Sequence, residues 1–493
     1  MNKKLSLNII TSLTLQIVAL VVGLVIPRLI LSTFGSEVNG LVSSINQILS
    51  YVNLLEGGVA SVMMANLYKP LYDADNYQLS RVIKTMFSFF RKLGLIFILY
   101  QIVVAFVYPL IVHTNFNYAY VFSLVIILGI NTFIQYVFSF SYKLLLNADN
   151  KLYLTNIVQI VLTLLNAILV YIGLKIYPNI HFIKLITASV FLLQPVCYYY
   201  FVKTNYDIDK NVSTDSNLIA QRWDGFGINL AAFIHNNTDV VILTAFSNLK
   251  TVSIYSVYLL VINGVKSLLV SILTSFTPII GKYIAKNDLK ELTDYFEYYE
   301  FISLSLVYGA FTICLLLIVP FVMLYTKNLT DANYYQPTFA IVIILAEMVY
   351  CLREPYQNIA YQANHFRQTR KYAYIEAILN IVLSIIFVSK FGLIGVALGT
   401  LFSMIYRTYF QVVYLEKNIL YRSRKIFFYY IITFSLIPLV SYLLFEKFIL
   451  VQNFNFIILV LLALIITTII YLIITIIFHR KIFKKFLITL KRK

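Results

Sequence analysis

Charge is scarce in this chain. Only 12% of its 493 residues are Asp, Glu, Lys or Arg, while 60% are hydrophobic, and the mean hydropathy is +0.82. Soluble domains carry about 25% charged and ~45–50% apolar residues, so this composition excludes a water-soluble fold. Cysteine is scarcer still. Cys197, Cys314 and Cys351 lie far apart in apolar stretches, which gives no disulfide framework and leaves them as packing residues. The five histidines, His113, His181, His235, His365 and His479, share no metal-ligand spacing with one another or with a carboxylate cluster. No glycine-rich phosphate loop or nucleotide motif occurs. The sequence therefore predicts no catalytic residue, no metal site, no bound cofactor and no ATP hydrolysis.

What is abundant is apolar length. Stretches long enough to cross a bilayer recur along the whole chain. They are about 20–28 residues long and do not alternate apolar with polar, which excludes a membrane β-barrel. The expected fold is an all-α polytopic membrane protein of 14 transmembrane helices, at about 9–31, 38–66, 86–112, 118–146, 152–174, 182–203, 223–247, 252–280, 299–326, 333–362, 371–389, 393–415, 425–446 and 453–478. The first span follows two lysines and is too long for the apolar core of a secretory signal, so it reads as uncleaved.

Lysine and arginine set the orientation. With the N-terminus inside, 29 of the 39 fall in inner segments, six in outer loops and four within spans. An even number of spans then predicts both termini in the cytoplasm. The same asymmetry accounts for the net charge of +18 through insertion topology and anionic lipid. Nothing resembles a base-reading or base-stacking surface, so nucleic acid is not an expected partner.

A faint internal repeat organises the spans. STFGSEVNGLVSSINQIL (32–49) is similar to TAFSNLKTVSIYSVYLLV (244–261) at an offset of 214. Two pseudo-symmetric six-helix lobes follow: residues 1–203 (helices 1–6), a cytoplasmic linker at 204–222, residues 223–415 (helices 7–12), and then 416–493 with helices 13–14 and a basic tail. Parallel lobes of this kind place a substrate site between them near mid-membrane.

Ionisable groups inside a bilayer are costly, at ~2.5–3.5 kcal/mol on insertion scales, so they mark cavities or partners. Here they fall on few helices: Arg28, Glu56, Asp239, Lys266, Glu347, Arg353 with Glu354, Glu376 and Arg407. Under the offset, Arg28 lands three residues from Asp239 and Glu56 one turn from Lys266. Each lobe thus carries one charge of each sign, and the pairs Arg28–Asp239 and Glu56–Lys266 are expectations. Glu376, near a helix end, reads as interfacial, and Arg353 with Glu354 as a local pair ahead of a kink at Pro355. Asn236 and Asn237, beside Asp239, offer hydrogen bonds to sugar or an ion. Glu56 is a candidate to take up H+ or Na+, and Gly57 and Gly58 to let its helix bend.

Several of these segments together resemble one family. The 6+6+2 plan, IPRLILSTFGSEVNGLVSSINQILSYVNLLEGGVASVMM at 26–64, the mid-span aspartate in NNTDVVILTAF and the following VSIYSVYLLV are similar to the oligosaccharide (O-antigen and capsule type) flippases. Their superfamily, the multidrug/oligosaccharidyl-lipid/polysaccharide exporters, also holds multidrug extruders and lipid II flippases. The resemblance implies a non-enzymatic carrier in a bacterial plasma membrane. Its substrate would be an undecaprenyl-diphosphate-linked oligosaccharide, turned from the inner to the outer leaflet. It also implies membrane lipids, a polysaccharide polymerase and glycosyltransferases as partners, with Arg28, Lys266, Arg353 and Arg407 as diphosphate contacts. The alternative is an ion-coupled multidrug or cation antiporter of the same superfamily, for which twelve spans would suffice.

Overall fold

The computed structural model describes residues 3–56, 59–112, 114–209, 211–215, 218, 226–286, 289–449 and 455–484. Gly57, Gly58, His113, much of the second half of the linker and the tail from 485 lie outside the described residues, as does the side chain of His235. Every regular element among them is helical: α1 (Lys3–Leu49), α2 (Asn53–Glu56), α3 (Val59–Asp73), α4 (Asn76–Ile111), α5 (Tyr118–Ile134), α6 (Phe140–Ala148), α7 (Leu152–Ile176), α8 (Ile180–Phe191), α9 (Leu193–Asn205), α10 (Phe226–Phe246), α11 (Leu249–Thr274), α12 (Thr277–Ala285), α13 (Leu289–Tyr325), α14 (Pro337–Gln362), α15 (Phe366–Asn418), α16 (Lys425–Ile449) and α17 (Phe456–Phe478). Ten of the described helical stretches are long and apolar enough to cross a membrane.

Side chains are sorted as a lipid-facing protein requires. Ile17, Leu99, Leu110, Ile432 and Ile477 point outward and are well exposed, while Ser44, Gln194, Asn380, Ser384 and Thr467 are buried. Backbone polar groups are satisfied within helices, and polar side chains join helices to one another, because hydrocarbon offers neither water nor any other partner.

Two reversals rest on glycine. Helix α1 turns back at Gly35 (φ 81°), and α15 at Gly392 (φ 51°), both left-handed conformations that a Cβ disfavours. In α15 the two arms pair antiparallel: Asn380 donates to Thr400 at 3.0 Å, and Ser384 donates to the Val396 carbonyl at 3.3 Å. Gly395 and Gly399 allow this approach. A Cβ on Gly395 would lie 2.2 Å from the Phe387 carbonyl oxygen, and one on Gly399 2.3 Å from Ser384 Oγ. Small residues four apart are the usual means of bringing membrane helices this close. These reversals fall where the sequence places the breaks between spans 1 and 2 and between spans 11 and 12.

Several spans are less regular than expected. The second is helical to Leu49, tightens to a 3-10 turn over Ser50–Val52 and resumes as α2. The fourth contains a π-helical turn, Gln135–Ser139, between α5 and α6. The sixth divides at Leu192, three residues ahead of Pro195, since proline removes a helical hydrogen bond and crowds the preceding turn. By contrast α14 runs on through Pro355. Cys314 and Cys351 are buried as expected, whereas Cys197 is exposed.

By compactness the chain forms two units, Met1–Ser253 and Ile254–Lys493, dividing inside α11. In the first unit, Asn8 bonds Asn150 and Tyr153, and Asn156 bonds Ser12, so the first arm of α1 runs parallel to α7. Glu37 accepts from Thr114, and Tyr100 donates to the Ile48 carbonyl, so the second arm runs antiparallel to α4. The start of the linker is strapped along α4. The Asp209 and Asp215 amides donate to Ser80 and Thr85, and Arg81 pairs with Asp215 at 3.1 Å. In the second unit, Phe301, Tyr308 and Phe434 are buried where α13 meets α16.

Candidate functional site

In the second unit, the α15 hairpin sets Glu376 on one arm opposite Arg407 on the other. Arg407 Nη1 lies 2.7 Å from Glu376 Oε2, and Arg353 Nη1, from α14, lies 3.6 Å from Glu376 Oε1. The side chains of this triad are only 4–5% exposed. Arg353 therefore pairs with Glu376 across helices, and Glu376 is a shared buried counter-ion.

Six residues before Arg353, Glu347 accepts from Lys266 Nζ at 2.9 Å. Tyr350 joins the two pairs. Its ring centre lies 5.0 Å from Lys266 Nζ and 4.8 Å from the Arg353 guanidinium, and its hydroxyl bonds Glu354. Positions 347, 350 and 354 share one helix face, so α14 presents carboxylate, aromatic ring and carboxylate in line. Such cation–ring contacts gain strength as water is excluded. The cluster holds Lys266, Arg353 and Arg407 against Glu347, Glu354 and Glu376, and its formal charges balance. Within this cluster the Lys266 side chain is 14% exposed, against 4–6% for Glu347, Arg353, Glu376 and Arg407.

A second buried network escaped the sequence reading. Arg422 grips Glu416 with Nε and Nη2, reaches Glu300 at 2.8 Å, and Tyr356 donates to Glu300. Glu300 has no exposed surface. Glu300 sits at the predicted end of a span, and Arg422 falls in the connection between the twelfth and thirteenth. Two carboxylates within reach of one arginine leave no signature in a linear pattern.

In the first unit, the second arm of α1 and the 3-10 turn after it pack along α10 and the first turn of α11 through a polar ladder. Asn39 donates to Ser253 at 2.8 Å, Ser44 and Thr244 share a 2.7 Å hydrogen bond, and Ser50 donates to Asn237 Oδ1 at 3.0 Å. Gln47 donates to the same Asn237 oxygen and, at 3.3 Å, to the Asn236 carbonyl. Gly40 makes the approach possible, since a Cβ there would lie 1.8 Å from the Leu249 carbonyl oxygen. Asn237 is thus engaged in a helix seam. Asp239 is buried beside it, and its charge acts on the Tyr51 hydroxyl.

Arg28 lies half-buried on the first arm, seven residues before the Gly35 reversal, or about 10 Å along the helix at ~1.5 Å per residue. Glu56 is half-buried at the end of α2. The cation acting on it is Lys143 of α6, and Tyr136, on the π-turn, donates to Asn53 at 2.6 Å just ahead of it. The two irregular helical turns of this unit therefore meet beside Glu56. Lys266, its expected partner, pairs with Glu347.

No family model and no curated relative matches this sequence. Solved structures do. The lipid II flippase MurJ in an inward closed conformation superposes with a TM-score of 0.73 at 15% identity, covering 97% of this chain and 99% of its own. An inward-facing multidrug resistance MATE family transporter of the MOP superfamily gives 0.59 at 13% identity, covering 83% of this chain and 98% of its own. The MATE multidrug transporter DinF-BH gives 0.59 at 15% identity, over 85% of this chain and 97% of its own. The chain is a multi-pass, all-α membrane protein with the fold these flippase and multidrug transporters share.

Proposed function

We propose that this protein is a flippase for undecaprenyl-diphosphate-linked oligosaccharides. It carries them from the inner to the outer leaflet of a bacterial plasma membrane by alternating access, for capsule, O-antigen or exopolysaccharide export. The observation that carries the proposal is coverage. The lipid II flippase matches 97% of the chain, whereas the two MATE transporters match 83% and 85%. The shortfall has the size of the C-terminal pair α16–α17 with the tail, which a drug carrier would not need. With Gly35 and Gly392 taken as reversals and α10 and α14 as crossings, the reading has fourteen spans and both termini on one face, the cytoplasmic one by the lysine and arginine asymmetry.

Within this reading, Arg28 and Lys266 are the diphosphate contacts, and Glu347 and Tyr350 hold Lys266 in place. Arg353 and Arg407 brace α14 against the α15 hairpin through Glu376 in the conformation described, and become anion contacts only if that hairpin shifts. The seam that residues 36–52 form with α10 and the first turn of α11 has to part for alternating access, and its side-chain hydrogen bonds are each worth only ~0.6 kcal/mol on average in a membrane protein. Glu56 takes up the coupling H+ or Na+ where the two irregular helical turns meet. The rival reading, a drug or cation antiporter, keeps the same fold. Deletion of the gene separates them. Loss of surface polysaccharide with unchanged drug susceptibility supports the flippase, and the reverse pattern refutes it.

A further inference from the structure

A cavity of about 910 Å3 opens in the first unit where the basic first half of α4 and the Lys203 end of α9 meet the linker. Lys84, Arg91, Lys92 and Lys203 line it, against Asp207 and Asp209. Two of the cations lie over rings of the same wall, Arg91 at 6.0 Å from the Phe87 centroid and Lys203 at 5.9 Å from that of Tyr199. Its floor is braced. Lys151 Nζ donates to the Tyr206 hydroxyl at 3.0 Å and pairs with Asp149 at 2.7 Å, and Tyr206 in turn donates to Asp149. The linker segment that carries Asp207 and Asp209 is held to α4 through Ser80. The lining thus has an excess of two positive charges and several hydroxyls.

Immediately beyond the cations, the same two helices turn outward and apolar. Leu95, Ile96 and Leu99 of α4 and Val196 and Tyr200 of α9 are all exposed. A cationic pocket continuous with a lipid-facing apolar strip matches one ligand shape, an anionic headgroup with acyl chains attached. A free anion would have no use for the strip. We infer that this cavity is a binding site for an anionic phospholipid, held by its phosphate in the leaflet into which these basic helix ends project. Basic pockets between membrane helices on the inner side recognise anionic headgroups in this way. The site is built from the first unit alone and does not depend on the flippase reading.

The test uses the purified full chain in neutral detergent, with phosphatidylglycerol, phosphatidylcholine and inorganic phosphate as probes. Thermal unfolding and native mass spectrometry are the readouts. Phosphatidylglycerol is expected to raise the unfolding temperature and to remain bound, and phosphatidylcholine to do neither. The exposed-residue variant Arg91→Ala/Lys92→Ala/Lys203→Ala should weaken phosphatidylglycerol binding at least tenfold. A control with equal charge loss, Lys282→Ala/Lys286→Ala/Lys290→Ala, should stay within twofold of wild type. The single variant Lys203→Glu gives the same reading should the triple fold poorly. Equal losses in both triples, no preference over phosphatidylcholine, or displacement by millimolar inorganic phosphate would each overturn the assignment.

Discussion

Among the described residues, Glu376 is the carboxylate in ion-pair contact with both Arg353 and Arg407, and all three side chains are nearly inaccessible. Replacing it by Gln keeps the volume and one hydrogen-bond acceptor but removes the charge. Two buried guanidinium groups then lose their counter-ion. Breaking a buried pair by removing one partner costs ~3–5 kcal/mol, because a buried charge is left uncompensated. The lower end applies here, since Glu354 still acts on Arg353. The assay is reversible unfolding in mixed micelles, comparing wild type, Glu376→Gln and Glu376→Gln/Arg407→Gln. The single variant should lose ~3 kcal/mol or more, and the double should recover part of that loss by removing one orphaned cation. A single variant within ~1 kcal/mol of wild type, the range of exposed pairs, would refute the view that this triad braces the second unit.

Three further outcomes follow from the geometry. Ser44 and Thr244 oxygens are 2.7 Å apart, so Ser44→Cys/Thr244→Cys should form a disulfide that arrests export in oxidising conditions and releases it on reduction; normal export with the bond formed would remove the seam from the mechanism. Lys266→Gln should abolish export while Glu347→Gln retains part of it, since the carboxylate only positions the cation, measured as surface polysaccharide at matched membrane levels. His479 packs against Phe434 and Tyr430, and burial pushes its pKa down from 6.5 to about 4. The unfolded chain therefore binds a proton between pH 6.5 and 4 that the folded protein does not. Its stabilising contribution is complete above pH 6.5 and is lost as pH falls towards 4, by ~1–2 kcal/mol once the full shift is discounted for solvent screening of a partly accessible ring. His479→Phe should flatten that part of the stability–pH profile.

The span boundaries were legible because they depend on local composition. The apolar runs end where Gly35 and Gly392 sit, and a glycine in a left-handed turn between two such runs is a reversal in either reading. The 3-10 turn at Ser50–Val52 and the π-turn at Gln135–Ser139 were not legible, because neither stretch holds a proline or glycine to mark a break, and the Tyr136–Asn53 hydrogen bond that joins them links residues 83 positions apart. The site residues divide in the same way. Which charges lie within the spans could be read directly. Which carboxylate each cation meets could not, because Lys266–Glu347, Arg353–Glu376 and Arg407–Glu376 are separated by 81, 23 and 31 positions and depend on how three helices pack. Asn237 shows the limit most plainly. A polar cluster beside an aspartate suggests a cavity, yet its side chain accepts from Gln47 and Ser50 on another helix.

The central claim is that this chain moves a lipid-linked sugar between leaflets. The direct measurement is the leaflet location of undecaprenyl-diphosphate-linked oligosaccharide after depletion of the protein, in cells with no second flippase, using a membrane-impermeant reagent for the sugar. The account predicts that the labelled fraction collapses while the inner-leaflet pool accumulates. Outer-leaflet labelling at the wild-type rate after depletion would contradict it.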